Sequence, residues 1–322
     1  MMSVKPARVS LVATLLNEAK SVRALLASID KQTRRPDEVV LVDGGSNDGT
    51  LELLEQWAAD RSEARILSAP GATIAQGRNL AIRAASHELI AVTDAGVTLD
   101  PAWLARLAAS LEDDPSVSVA GGFFVAETQG SFEQAMGATV LPAREDIDGE
   151  SFLPSSRSVA FRRSAWEKVG GYPEWLDYCE DVVFDLQLRR AGYRFTWDPD
   201  AVVRFRPRSN LRAFLVQYYR YARGDGKADL WRRRHAVRYV AYLCGVALMA
   251  RPHPLTFLAL LVAGSWYLRR PVERLLAQAS RHRREALLAL LLIPLIRATG
   301  DVAKMLGYPA GVIWRLRQRR PA

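Results

Sequence analysis

Residues 39–50 read Val39-Val40-Leu41-Val42-Asp43-Gly44-Gly45-Ser46-Asn47-Asp48-Gly49-Thr50. The unbroken apolar, β-branched run predicts a strand over 38–42 buried on both faces, because a half-exposed strand would alternate apolar with polar. A carboxylate closes the strand. The glycines after it let backbone approach a ligand closely, and Asn47-Asp48-Gly49 turns the chain into a helix. Alone, this stretch fits a ligand-binding turn and a plain strand–turn–helix connection equally well.

Its neighbours repeat the pattern. Residues 9–16 form another continuous apolar run, followed by a helix over 21–31 with Val22, Leu25, Leu26 and Ile29 at helical spacing. Downstream come a helix over 51–59, a weak strand over 64–67, a helix over 74–85 and a buried strand over 88–93. Such a β-α-β-α-β rhythm with short loops predicts an α/β fold, a mostly parallel sheet with helices on both faces. Ligands of such sheets sit beyond the carboxyl ends of the strands, which singles out Asn17, Asp43 and Asp94. Beyond residue 93 the pattern is less regular. Strands are expected over 117–125, 158–161 and 195–197, helices over 164–169 and 181–191, and a polar, mobile loop over 141–154.

Charge divides the 322-residue chain. Residues 1–202 hold 20 Lys and Arg against 30 Asp and Glu, whereas residues 203–322 hold 24 against 5. A basic half with little acid points to an anionic partner, either nucleic acid or an anionic membrane surface. Here the arginines alternate with apolar segments at 237–250, 255–268 and 286–296, and no nucleic-acid module is recognisable, so membrane lipids are the expected partner and nucleic acid is not. None of the three segments reaches the roughly 20 residues of a lone span, so they read as buried, re-entrant or interfacial helices. If 251–254 is a hairpin tip, the basic clusters at 232–234 and 269–270 fall on one side, as the cytoplasmic leaflet favours. A further cluster lies at 281–284.

The composition, 49% hydrophobic and 25% charged, excludes wholesale disorder. Cys179 and Cys244 lie far apart and outside any CxxC pattern, which predicts a reducing compartment without a disulfide framework. The 9–16 run lacks a small-residue cleavage site and leads directly into Asn17-Glu18, so it reads as a strand rather than a signal peptide. The acidic half is therefore expected in the cytoplasm, at the cytoplasmic membrane.

Six motifs in consistent order carry a resemblance. The 39–50 stretch is similar to the VDDGSxDGT signature of family-2 glycosyltransferases, which have the GT-A fold. Asn17-Glu18 resembles their NE motif, and Gln76-Gly77-Arg78-Asn79 their GxxxARN segment. Thr93-Asp94-Ala95-Gly96 falls at their metal-binding DxD position. Gly170-Gly171-Tyr172-Pro173-Glu174, Glu180-Asp181 and residues 188–193 resemble their GGF-x-E…ED…R-x-x-G-y block, and residues 217–221 loosely echo QxxRW. A GxGxxG segment, which would mark a dehydrogenase, does not follow the first strand.

The resemblance spans about residues 8–227 and implies a GT-A, Rossmann-like catalytic domain over 1–227 with a basic, helical, membrane-associating region over 228–322. It implies an inverting transferase with a nucleotide-sugar donor and a lipid-linked or polysaccharide acceptor, active in making cell-envelope polysaccharide or glycolipid. Asp181, with Glu180, would be the general base. Asp43 would bind the base or ribose, Arg78 the base or phosphate, and Asp94 the diphosphate through Mg2+ or Mn2+. Thr14, Asn17 and Glu18 fall in the same donor-binding set, and Ser156, Arg157, Trp175 and Tyr178 are candidates for the sugar or acceptor pocket.

One departure stands out: Gly96 occupies the second carboxylate position of DxD, leaving Asp94 alone. Either water and diphosphate complete the coordination of a cation at Asp94, or an arginine supplies the positive charge, with Arg206 the candidate. The same departure supports an alternative: a catalytically inactive, membrane-bound sugar-nucleotide sensor or scaffold. Donor sugar, acceptor and oligomeric state are not specified by the sequence.

Overall fold

The structure, a computed structural model, describes residues 6–250, 253–278 and 283–318. The chain divides into two compact units. One comprises the residues up to Glu127 with Ile147–Arg206, and the other Thr128–Asp146 with the residues from Pro207 on.

The first unit is built on an eight-stranded sheet. Its strands are β1 (Val9–Leu15), β2 (Glu38–Asp43), β3 (Ala64–Ser68), β4 (Leu89–Asp94), β5 (Val97–Leu99), β6 (Val117–Ala126), β7 (Ser158–Arg162) and β8 (Arg194–Phe205). They lie in the order β3-β2-β1-β4-β7-β6-β8-β5. The first four strands pair in parallel, as the β-α-β rhythm predicts, and β6 pairs parallel with β8. β7 runs antiparallel to both β4 and β6, and β5 runs antiparallel to β8.

Each central strand buries both faces, which is why its sequence is continuously apolar. Val9, Leu11, Ala13 and Leu15 of β1 pack with Leu25 of α1 (Val22–Asp30) and with Trp103 and Leu107 of α4 (Trp103–Glu112). Val12 of β1, with Val40, Val42, Ile90 and Val92, points the other way. It meets Ile82 of α3 (Ile74–Ala84), Trp166 of α6 (Arg163–Val169), and Phe184 and Leu188 of α7 (Glu180–Arg190). The remaining helix, α2 (Thr50–Ala58), follows β2. Approach is close where α3 crosses β1: a Cβ on Gly77 would sit 2.7 Å from Thr14 Cγ2. The 141–154 stretch contains no strand and a single 3-10 turn at Arg144–Asp146.

The second unit is helical. It contains α5 (Ser131–Val140), α8 (Leu211–Lys227), α9 (Arg232–Met249), α10 (Pro254–Gln278) and α11 (Arg283–Gln318). The expected boundary at residue 227 differs from this division. The Arg223-Gly224-Asp225-Gly226-Lys227 segment forms the last part of α8. Gly226 of α8 meets Gly311 of α11, and a Cβ on Gly226, Gly307 or Gly311 would collide with the facing backbone. Small residues spaced by four let two helix backbones touch, and that contact binds α8 to the C-terminal helices.

The three short apolar segments are parts of longer helices. Pro271, Pro294 and Pro309 lie inside helices instead of ending them. Residues 284–318 consequently form a helix long and apolar enough to cross a membrane by length and composition. That corrects the expectation that no segment reaches a span length. Residues 251–252 of the expected hairpin tip and 281–282 of the third basic cluster lie outside the described residues.

Candidate active site

The chemistry gathers at the carboxyl ends of β1, β2 and β4 and the start of α7. Asp43, the last residue of β2, is fully buried. Its Oδ2 accepts the backbone N–H groups of Gly45 (2.8 Å) and Ser46 (2.9 Å), while Oδ1 is buried without a hydrogen-bond partner. Because buried carboxylate oxygens are normally satisfied, Oδ1 is an acceptor waiting for a donor.

The loop after β1 is pinned against the loop after β2. Asn17, at φ 57°, donates its N–H to Ser46 Oγ (2.8 Å) and accepts from Asn47 N–H through Oδ1 (3.0 Å). Glu18 N–H donates to Thr50 Oγ1 (2.8 Å), and Ala19 N–H to Asp48 Oδ2 (3.0 Å). These bonds explain the Asn-Glu and Asn-Asp-Gly-Thr pairing in local terms: each loop satisfies the other's backbone.

Arg78, on α3, stands at the centre of the charged cluster. Its guanidinium is 1% exposed; Nη2 donates to Asp94 Oδ1 at 2.5 Å and Nη1 to Glu180 Oε1 at 2.6 Å. Asp181, next to Glu180, also faces Arg78 electrostatically. Cys179 adopts a left-handed φ of 65° at the entry to α7, placing Glu180 and Asp181 in the helix's first turn. Carboxylates are favoured there by the amide dipoles; Asp181 Oδ1 accepts Val182 N–H at 2.8 Å. Burial, reinforced by the charge of Asp181 and opposed by Arg78, pushes Glu180 up to about 7. One turn further on, Asp185 is buried, and that burial, together with Asp181, holds it well above the usual carboxylate range.

A second guanidinium attends Asp94. Arg157 Nε lies 3.8 Å from Asp94 Oδ2, and its guanidinium packs 4.3 Å from the Phe205 ring centroid. Beside them, an ideal Cβ on Gly96 would stand 3.5 Å from Glu18 Oε2. Behind the cluster, Asn79 clamps the 170–174 loop. Its amide nitrogen donates to Tyr172 O (2.8 Å) and Glu174 Oε1 (2.9 Å), and its Oδ1 accepts from Tyr172 N–H (2.9 Å) and Trp166 Nε1 (3.1 Å).

The glycosyl transferase family 2 model matches residues 10–168. The succinoglycan biosynthesis protein ExoA of Rhizobium meliloti is 27% identical over 80% of this chain and 78% of its own. The glycosyltransferase AglE of Haloferax volcanii is 26% identical over 69% and 74%. The chain belongs to glycosyl transferase family 2. Among solved structures, the mannosyltransferase PcManGT of Pyrobaculum calidifontis, in complex with GDP-Man and Mn2+, superimposes with TM-score 0.58. It is 21% identical and covers 98% of this chain and 89% of its own, which shows the GT-A fold.

Within this transferase, Asp43, Asp94, Glu180 and Asp181 lie at the strand ends and the α7 N-terminus. Other positions depart from their expected surroundings. Both terminal nitrogens of Arg78 are engaged by carboxylates, in place of an open base or phosphate site. Ser156 turns inward, its buried hydroxyl 2.8 Å from the Tyr172 hydroxyl. Arg157 stands at Asp94, while Arg206 is exposed just past β8. Thr14 faces Gly77, Trp175 is 38% exposed and Tyr178 is half-buried.

Among the described residues, no three His, Cys, Asp or Glu side chains group to hold a metal. The carboxylates by this turn are Asp94, whose two oxygens face Arg78 and Arg157, and Glu18 beside Gly96, whose Oε2 accepts from the Ser21 hydroxyl. Two carboxylates suit a hard cation whose other ligands are water and phosphate oxygens. Sequence reasoning missed Asp185 and Tyr172. The spacing of Asp185 four residues after Asp181 was the available signal for the first.

Proposed function

We propose that this family-2 glycosyltransferase transfers a sugar with inversion from a nucleoside diphosphate sugar to an acceptor hydroxyl or lipid phosphate at the cytoplasmic membrane face. What carries the reading is the Arg78 bridge, which holds Asp94 from the end of β4 and Glu180 from the start of α7 on one buried guanidinium. Asp43 Oδ1 accepts N–H or O–H donors of the donor's base or ribose. Asp181 takes the acceptor proton as its oxygen attacks the anomeric carbon, and the sugar–oxygen bond to the diphosphate breaks on the opposite side. Arg157 stabilises charge near the departing diphosphate, and Arg78 orients the two carboxylates.

Mg2+ or Mn2+ held by Asp94 with Glu18 would supply further positive charge there. The PcManGT complex supports a divalent cation by analogy of fold. Membrane association is supported by the apolar 284–318 helix and by the basic balance of residues 203–322. The inactive-scaffold alternative rests on Gly96 alone.

Two substitutions separate binding from turnover. Asp181→Asn lowers turnover by about 100- to 10,000-fold, the span of general-base contributions, and leaves donor affinity intact. Asp43→Asn can keep its oxygen toward the Gly45 and Ser46 amides while presenting NH2 in place of Oδ1. Donor affinity then falls by about tenfold or more. Full turnover in Asp181→Asn, read by donor hydrolysis and sugar transfer in detergent, overturns the base assignment.

A further inference from the structure

The helical unit contains a cationic cluster that the transfer chemistry above does not use. Arg297, Asp301 and Lys304 share one side of α11, four and three residues apart. Asp301 is 4% exposed and accepts from Arg238 Nε (2.9 Å) and from the hydroxyls of Tyr242 (3.1 Å) and Tyr267. The Arg297 guanidinium lies 4.4 Å from the Tyr267 ring centroid, and its Nε is buried without a hydrogen-bond partner. Lys304 Nζ lies 5.0 Å from the Tyr218 ring centroid and is within electrostatic reach of Arg234, Arg238 and Arg297.

One carboxylate thus faces several cations. The next carboxylate along, Asp225, sits 3.1 Å from the His235 ring. Grouped cations removed from water are costly unless an anion joins them. The outward sides of the same helices expose Val240, Leu243, Leu258, Val262, Leu291 and Leu295. A ligand that brings hydrocarbon and a strong anion together matches both features. An excess of two or more positive charges favours a terminal phosphate, carrying about −1.5 to −2, over the single charge of a phosphodiester.

We propose that Arg238, Arg297 and Lys304 bind the terminal phosphate of a lipid phosphomonoester whose chain lies along the apolar sides of α9, α10 and α11. This deepens the lipid-phosphate acceptor reading by naming residues that would hold such a phosphate, and it is tested apart from that reading because binding is measured without turnover.

The test uses full-length protein in mild detergent, titrated with a polyprenyl monophosphate and read by native mass spectrometry. Phosphatidylcholine and inorganic phosphate form separate arms. Polyprenyl monophosphate binds saturably; Arg297→Gln and Lys304→Gln each weaken it by about tenfold or more, and Arg297→Lys partly restores it. Arg269→Gln removes an exposed arginine outside the cluster and leaves binding unchanged. Thermal melting identifies any variant that fails to fold, and the remaining cluster variant then decides the question. Wild-type affinity in the folded variants, equal loss in Arg269→Gln, or equally tight binding of inorganic phosphate overturns the proposal.

Discussion

Replacing Arg78 by methionine tests whether this residue organises the site or contacts the donor. The guanidinium is buried and bonded at 2.5 and 2.6 Å to two carboxylates, of which Glu180 is itself buried. Removing one partner of a buried ion pair costs about 3–5 kcal/mol, because the charge left behind is uncompensated. In a unit of this size each kcal/mol moves the melting temperature by about 2–4 °C, so Arg78→Met lowers it by about 6–20 °C. Adding Glu180→Gln removes the buried orphan charge and recovers part of the loss, as coupled neighbours do. The deficit is also pH-dependent. Glu180 already titrates at about 7 with Arg78 present, and without it goes higher. The folded variant then binds more protons than the unfolded chain above the ordinary glutamate range, so its stability falls further as pH rises. Thermal or urea unfolding at pH 6 and pH 8, with nucleotide titration of the folded variants, provides the assay. If Arg78→Met melts within a degree or two of wild type while losing nucleotide affinity, Arg78 is a direct donor ligand and the positioning argument fails.

Two other substitutions probe the residues behind the cluster. Asp185→Asn keeps the side-chain shape and removes a carboxyl whose ionisation burial opposes. Its stability gain over wild type should grow by about 1.4 kcal/mol per pH unit above the ordinary aspartate range, levelling off at the raised value; an advantage that is flat with pH would contradict a buried, proton-retaining Asp185. Asn79→Ala orphans the Tyr172 amide, the Tyr172 carbonyl and Trp166 Nε1, at about 1–3 kcal/mol for each group left unsatisfied. Melting temperature and turnover should fall together, and an unchanged turnover would show that the 170–174 loop does not position Glu180 and Asp181.

The parallel half of the sheet was legible because its strands are buried on both faces: β1, β2 and β4 appear within a residue of the apolar runs. β5 has three residues, too few for a period to show. α4 does carry a helical stripe, Trp103, Leu104, Leu107, Ala108 and Leu111, but no motif draws attention to it. α5, composed of Ala, Gly, Met and Thr among few large residues, has almost none. In the site, motifs located Asp43, Asp94 and Glu180-Asp181, yet surroundings were beyond reach. That Arg78 faces inward, Ser156 bonds Tyr172 and Arg157 reaches Asp94 depends on contacts between residues 16 to 102 positions apart. Spacing along one element cannot encode such contacts. The same limit applies to α11, read from sequence only as the apolar segment 286–296, because the packing of α5 and α8 along the helix lies far away in sequence.

The missing carboxylate at residue 96 has a local physical account. Gly96 adopts a φ of +73°, a conformation that side chains rarely accept. An aspartate there would project its carboxylate toward Glu18, whose Oε2 would lie 3.5 Å from the new Cβ. Two carboxylates in that space repel, and one would have to take up a proton. The turn after β4 has no second carboxylate; the Glu18 carboxylate, which accepts from the Ser21 hydroxyl, lies beside it, while the Glu18 N–H donates to Thr50 Oγ1. Asp94 meanwhile gains two guanidinium neighbours, Arg78 and Arg157. A diphosphate leaving beside Asp94 would meet positive charge already built into the fold. Gly96 thus leaves Asp94 flanked by guanidinium charge, with the Glu18 carboxylate beside the turn.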